Sequence, residues 1–248
     1  MINFIKGMSY LSLGMVHLPT KGLKRFVILP IIFNLFVFIG LFYLIYHYLF
    51  PLSNYYINQL PSWLSFLSGV FVFFFIVSCF LFFLATFTVL FNLVAAPFNG
   101  LLAERAQYLL RNQMIPELTF AEITVRTIKR QMQFIRYFFP RFLGMCVLFF
   151  IPFIHPFFPF LWFAFNSWIL SMQYQDYAMD NNLVDFKTMR QLMKQNKDES
   201  LGFGLFINFI SFIPILNIIS MPAGVIGGVL MFCDRHSQRL PPILIRKQ

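Results

Sequence analysis

Residues 26–50, FVILPIIFNLFVFIGLFYLIYHYLF, contain no Asp, Glu, Lys or Arg. A helix needs about 20 apolar residues to cross the ~30 Å hydrocarbon core of a bilayer, so this stretch reads as one transmembrane span. Outward from it, the uncharged run continues from Arg25 to Glu104, 78 residues in all. Within that run, 51–62 (PLSNYYINQLPS) carries two prolines and two asparagines and reads as a short loop. Residues 63–95 then form a second long span, opened by Trp63.

Two further uncharged blocks, 142–175 and 200–233, hold 34 residues each. One straight helix of that length would extend ~51 Å, well beyond the bilayer core. Two full spans would need about 40 residues and a turn. Each block is interrupted near its middle, by Pro152, Pro156 and Pro159 in the first and by Pro214, Asn217 and Pro222 in the second. Proline removes a helical donor and clashes with the preceding turn. Each block is therefore expected to form a half-penetrating helical hairpin that returns to its starting side. The expected fold is an all-α integral membrane protein in a single domain, 1–248. It holds two long transmembrane helices (26–50 and 63–95), two hairpins (142–175 and 200–233) and amphipathic interfacial helices.

Composition agrees. Of 248 residues, 59% are apolar, 20% aromatic and 11% charged, with 37 phenylalanines and a mean hydropathy of +0.72. Soluble domains carry about 25% charged residues, which excludes a soluble enzyme, a disordered chain and a disulfide scaffold. The net charge of +10 sits in four segments, 1–25, 104–141, 176–199 and 234–248. Basic flanks of apolar spans follow the positive-inside rule, so the excess is assigned to membrane topology and no nucleic-acid partner is expected. The rule also places loop 51–62 on the side opposite the basic segments. Broken backbone at membrane depth has to be shielded or line a wet cavity, which points to oligomerisation, conduction or both.

Residues 2–16 read as a short helix lying along the interface, and they lack the continuous apolar core of a cleavable signal peptide. Across 187–197, Lys187, Arg190, Lys194 and Lys197 oppose Phe186, Met189 and Met193. Across 120–139, Phe120, Ile123, Ile128, Met132, Ile135 and Phe139 oppose Arg126, Lys129, Arg130 and Arg136. Both patterns suit interfacial helices resting on anionic lipid; a substrate-attracting vestibule is the alternative.

Four polar features stand out. Lys21-Gly22-Leu23-Lys24-Arg25 precedes the first span, where a glycine turn, a helix N-terminus and two cations suit an oxyanion; the same cations also suit simple topology-setting flanks. Asn99 is placed to cap a new helix after a break at Pro97, with Glu104 in its second turn; Glu104 would pair with a basic group or gate a path, or stand as a juxtamembrane charge. Asn34, Asn92, Asn166, Asn208 and Asn217 either bond neighbouring helices or line a hydrated path. Asp176 and Asp180 share a helix face, as a cation or proton site or as a solvated helix start.

No catalytic residue is indicated, since HExxH, GxSxG and Walker sequences are absent. Cys79, Cys146 and Cys233 lie in apolar stretches without CxxC or Cys/His spacing, so neither metal nor cofactor is expected. A channel, a secondary transporter and a non-transporting membrane scaffold remain.

Four segments, GLKRFVILPIIFN (22–34), AAPFNGLLAE (95–104), QYQDYAMDNN (173–182) and IPILN with MP (213–217 and 221–222), together resemble the CysZ family of bacterial sulfate permeases. The chain differs in carrying Lys24 in place of an arginine and Ala178 in place of a proline. The resemblance implies nucleotide-independent sulfate uptake across the bacterial inner membrane for cysteine biosynthesis. It implies the same two helices and two hairpins, assembled as a homo-oligomer. It assigns sulfate binding to Gly22, Leu23, Lys24 and Arg25. For such a path, Asn34 and Asn99 are expected to replace the water of the anion further in as pore-lining positions, with Glu104 beside them holding a basic partner. Lys24 keeps the charge of an arginine without its planar two-pronged grip.

Overall fold

The computed structural model describes residues 2–51, 55, 68–116 and 119–235, and all regular structure among them is helical, with no strand. The chain divides into two compact units, Arg25–Phe98 and Met1–Lys24 with Asn99–Gln248.

In the unit Arg25–Phe98, helix α2 (Lys24–Leu44) continues into a π-helical turn, Ile45–Leu49. Helix α3 (Ser68–Arg111) supplies the rest. Phe38 and Phe83 meet edge to face, 5.1 Å between ring centroids, the arrangement an aromatic quadrupole favours. Phe36, Phe42, Phe73, Phe74 and Phe80 are exposed. Among the described residues no helix is long and apolar enough to cross a membrane. Most of the expected loop 51–62 and the first residues of the expected second span, 63–67, lie outside the described residues.

In one respect α3 departs from expectation: it runs unbroken through Pro97. Asn99 is thus an interior helical residue and caps nothing. The hydrogen bond forgone at a proline and its steric clash destabilise by about 3 kcal/mol. Hydrogen bonds from Asn99 to Tyr177 and from Asn181 to the Gly100 carbonyl, just beyond Pro97, offset that loss.

The larger unit is built on helix α1 (Ile2–His17) and the paired arms α4 (Phe120–Phe149), α5 (Phe158–Asn181), α7 (Lys197–Ser211) and α8 (Pro214–Arg235), with the short α6 (Phe186–Gln195) between α5 and α7. Thr119 and Glu122 form a reciprocal capping box that starts α4. Asp185 caps α6, accepting from the Thr188 amide at 3.0 Å.

Both uncharged blocks turn back where their prolines lie. The first turns through residues 150–157, with a 3₁₀ turn at His155–Phe157. The second turns at Phe212 and Ile213, after which Pro214 opens α8. Proline at the first helical position lacks a donor that would be unpaired anyway. Pro140 and Pro222 sit inside α4 and α8 without ending them.

The α4–α5 arms pair in antiparallel register. Arg126 meets Asp180, Arg130 meets Asp176, Tyr137 meets Trp168, Phe138 meets Phe165, Phe142 meets Trp162 and Phe149 meets Phe158. Charge lies at the open end and aromatic rings at the tip.

Helix α1 is a helix as expected, but it packs into the unit, burying Gly7, Tyr10, Leu11 and Gly14 against α7 and α8. Its approach is close: a Cβ at Gly14 would collide with the Ala223 carbonyl, and one at Gly202 with that of Phe4. Between α5 and α7, Gly204 meets the Ser167 backbone in the same way. Small residues that let helix backbones touch are the packing device of apolar bundles. Beside Gly204 runs a polar seam, in which Asn166 donates to Asn208 at 2.9 Å and Asn208 donates to Ser167 Oγ at 3.0 Å and to the Phe163 carbonyl at 3.1 Å.

Candidate functional site

The segment before α2 makes the turn its glycine predicts. Gly22 has φ +95°, a left-handed conformation open to glycine and strained for other residues. The Leu23 amide donates to the Thr20 carbonyl at 3.0 Å, and the Leu23 side chain is fully buried. Leu23 therefore anchors the turn and reaches no ligand with its side chain. Lys24 and Arg25, the first residues of α2, are exposed, and neither has a carboxylate within 4 Å among the described residues. The Arg25 guanidinium lies 4.8 Å from the Phe26 ring centroid. Unpaired N–H groups of a helix's first turn point out of its N-terminus, where the dipole favours an anion.

Beside Gly22 the structure brings a residue that the sequence reading passed over. A Cβ at Gly22 would lie 3.1 Å from Leu109 Cδ1 and 3.9 Å from Arg105 Nε. Arg105 Nε is buried with no hydrogen-bond partner, while its guanidinium carbon lies 5.3 Å from the Tyr108 ring centroid. A buried, unpaired guanidinium donor is costly in isolation and calls for an acceptor. The available signal was position: Arg105 is the first cation after the 78-residue uncharged run.

Two of the motifs quoted from the sequence dock onto one another. Asn99 Nδ2 donates to Tyr177 Oη at 3.3 Å, Asn181 Nδ2 donates to the Gly100 carbonyl at 2.9 Å, and Gln107 exchanges bonds with Asn182 at 3.0 and 2.7 Å. Burial pushes the Tyr177 phenol up, and the Asn99 hydrogen bond partly opposes that, so the hydroxyl stays protonated. Of the expected pore positions, Asn99 is buried in this seam. Glu104 is exposed and has no cation within 4 Å among the described residues; the Asn34 side chain lies outside them, as does that of Asn92.

Asp176 and Asp180 are neither a solvated helix start nor a free cation site. They lie in the last turns of α5, where Asp180 accepts from Arg126 at 2.9 and 3.0 Å and Asp176 accepts from Arg130. Burial pushes the Asp176 carboxyl up, and the Arg130 charge and hydrogen bonds pull it back. Among the described residues no cluster of His, Cys, Asp or Glu has the makings of a metal site.

Comparison with known proteins follows these motifs. The family model described as "Sulfate transporter CysZ/Etoposide-induced protein 2.4" matches residues 10–222, a range that includes the Gly22 turn, the Asn99–Tyr177 seam and both hairpin turns. "Sulfate transporter CysZ" of Pectobacterium atrosepticum is 36% identical over 234 residues, 93% of this chain and 85% of the relative. That of Pseudomonas fluorescens is 36% identical over 241 residues, 95% and 96% of the two chains. That of Vibrio cholerae is 35% identical over 241 residues, 96% of each. All three relatives are named as transporters. Matching over most of its length, and with its distinctive polar segments in contact, the chain belongs to the sulfate transporter CysZ/etoposide-induced protein 2.4 family.

Proposed function

We propose that this protein carries sulfate across a bacterial inner membrane without nucleotide, and so supplies cysteine biosynthesis. Gly22, Lys24 and Arg25 receive the anion at the mouth of the path, while Leu23, with its side chain buried and its amide bonded to Thr20, holds the turn that presents them. The observation that carries this reading is the Gly22 turn, which delivers two exposed cations, neither with a carboxylate within 4 Å among the described residues, to the start of α2. Relatives that cover nearly the whole chain and bear the name sulfate transporter support it. Sulfate is a dianion at pH 7, and a path for it has to exchange hydration for N–H donors and cations without holding it too tightly. Arg105 adds a donor beside the turn, whereas Asn99, buried against Tyr177, holds helices together rather than lining a path.

The apolar stretches 26–50 and 63–95 serve as membrane spans, and 142–175 and 200–233 enter and leave on one side. The aromatic tip and charged base of the α4–α5 pair support that orientation. Exposed Ile128, Met132, Ile135 and Phe139 give α4 the apolar stripe of an interfacial helix. Several copies assemble to shield the hairpin turns.

Uptake of labelled sulfate by proteoliposomes of the purified protein tests the reading. Down a sulfate gradient and without ATP, the native chain should fill the vesicles. Charge-assisted hydrogen bonds contribute about 1.5 kcal/mol each at an exposed site, so Lys24→Ala with Arg25→Ala should weaken sulfate binding on the order of a hundredfold. Lys24→Arg should preserve it, because the guanidinium fork suits an oxyanion. Native protein that moves no sulfate would leave a membrane scaffold. A double variant that binds sulfate unchanged by calorimetry would return the two cations to topology-setting flanks.

A further inference from the structure

Along α4, neighbouring arginines have opposite circumstances. Arg126 and Arg130 are neutralised by Asp180 and Asp176. About two and three turns beyond Arg130, Arg136 and Arg141 face Lys187 and Arg190 of α6 across a cavity of about 280 Å³. Among the described residues no carboxylate lines this cavity, and none of the four cations has one within 4 Å. Two of the guanidiniums converge on one ring: Arg141 lies 3.7 Å and Arg190 4.7 Å from the Tyr137 centroid. Tyr137 is held in place by Trp168, whose indole N–H donates to its hydroxyl at 3.0 Å. Arg190 Nε is buried and unpartnered.

Like charges gathered around an open cavity repel one another. An orphaned buried donor likewise calls for an acceptor. A tetrahedral oxyanion in the cavity would answer both, taking bidentate bonds from the guanidinium forks. The surroundings choose its source. The sequence pattern sets Arg136 against Met132 and Phe139, but the 4-3-4 spacing places it at the edge of the same helix face as Met132, Phe139 and Leu143, all apolar and exposed. A ligand with its oxyanion among the cations and apolar chains along this face would satisfy both surfaces at once.

We propose that the cavity between α4 and α6 binds the phosphate of an anionic membrane lipid, at a site separate from the Gly22 turn. It stands apart from the sulfate reading and shares with it only the membrane setting. The chemistry recognised is that of a phosphate- or sulfate-type oxyanion, and soluble anions are the competing source.

Native mass spectrometry of the full chain in detergent tests this with dioleoyl phosphatidylglycerol and phosphatidylcholine of the same acyl chains. The native protein should retain phosphatidylglycerol preferentially. Arg136→Gln with Arg190→Gln should lower that preference about tenfold or more, since two charge-assisted contacts are lost, whereas Arg136→Lys with Arg190→Lys should retain most of it. Arg136 is exposed, so Arg136→Gln alone keeps the test valid if the double variant does not fold. Glycerol phosphate and sulfate at millimolar concentration should leave the lipid adduct in place. Displacement by either at that concentration would overturn the lipid as the source. An unchanged preference for phosphatidylglycerol in correctly eluting Gln variants would overturn the site.

Discussion

Arg130 donates from Nε to Asp176 Oδ1 at 2.7 Å across the open end of the α4–α5 hairpin, and its Nη1 donates to the Val184 carbonyl at 2.9 Å. The two side chains keep only 9% and 18% of their exposure. One arginine thus ties α4 to α5 and to the start of the connection into α6. Removing one partner of a buried pair leaves an uncompensated charge and destabilises by about 3–5 kcal/mol. Arg130→Ala and Asp176→Ala should each lower the thermal midpoint in detergent by an amount at the lower end of that range, because Asp176 is not fully dry. The paired change Arg130→Met with Asp176→Leu should lose less than either single change. A double-mutant cycle on the unfolding free energies checks the coupling, and additive losses would mean that the two residues act separately.

Close helix approach makes a second, local prediction. Gly204→Ala forces a methyl into the Ser167 backbone and should destabilise by about 1–3 kcal/mol. Gly144→Ala in α4 meets nothing within 4 Å and should be neutral or stabilising by up to about 1 kcal/mol, because alanine is the better helix former. Thermal unfolding of the two variants side by side is the measurement. Equal effects would remove the close-packing account of the α5–α7 contact.

The cap of α6 makes stability depend on pH. Hydrogen bonds from the Thr188 hydroxyl and amide hold the Asp185 carboxyl below its usual range. A group whose folded value lies below its unfolded value, about 3.9 for aspartate, contributes stability above that unfolded value and loses it as pH falls through the folded one. Hydrogen-exchange protection of α6 amides, corrected for intrinsic rates, should therefore be full near neutrality and fall below about pH 4. Asp185→Asn should keep the cap and flatten that dependence. Asp185→Ala should cost about 1 kcal/mol at neutral pH. Protection that does not change with pH in the native chain would contradict the role given to the carboxylate.

The hairpin turns offer a topological test. Single cysteines at 155–157 and at 212–213, in a background without Cys79, Cys146 and Cys233, should react poorly with bulky impermeant maleimides applied from the side opposite the basic segments. A small permeant reagent should reach them if they line a wet cavity. Efficient labelling of both turns by the bulky reagent from that opposite side would replace the hairpins with full crossings.

Charge spacing and proline position made much of the architecture legible in the chain. Both are local constraints: an uncharged run has a length, and a proline forgoes a hydrogen bond wherever it sits. The two turn regions, the Gly22 turn and the amphipathic α6 could therefore be placed from residues alone. Pro97 was misjudged because the bonds that offset its local penalty come from Tyr177 and Asn181, some eighty residues away in the chain. The short apolar pattern of α1 suits an interface, but it does not show that Gly7 meets the Glu199 carbonyl of α7 and Gly14 the Ala223 carbonyl of α8, which happens only when the helices are side by side. Pairing of Asp176 and Asp180 with arginines 46 and 54 residues distant, and the arrival of Arg105 beside Gly22, were settled by the antiparallel register of packed helices. Hydrogen bonds and ion pairs act over a few ångströms, so a residue's partners follow from the fold even where its own helix is written in its neighbours.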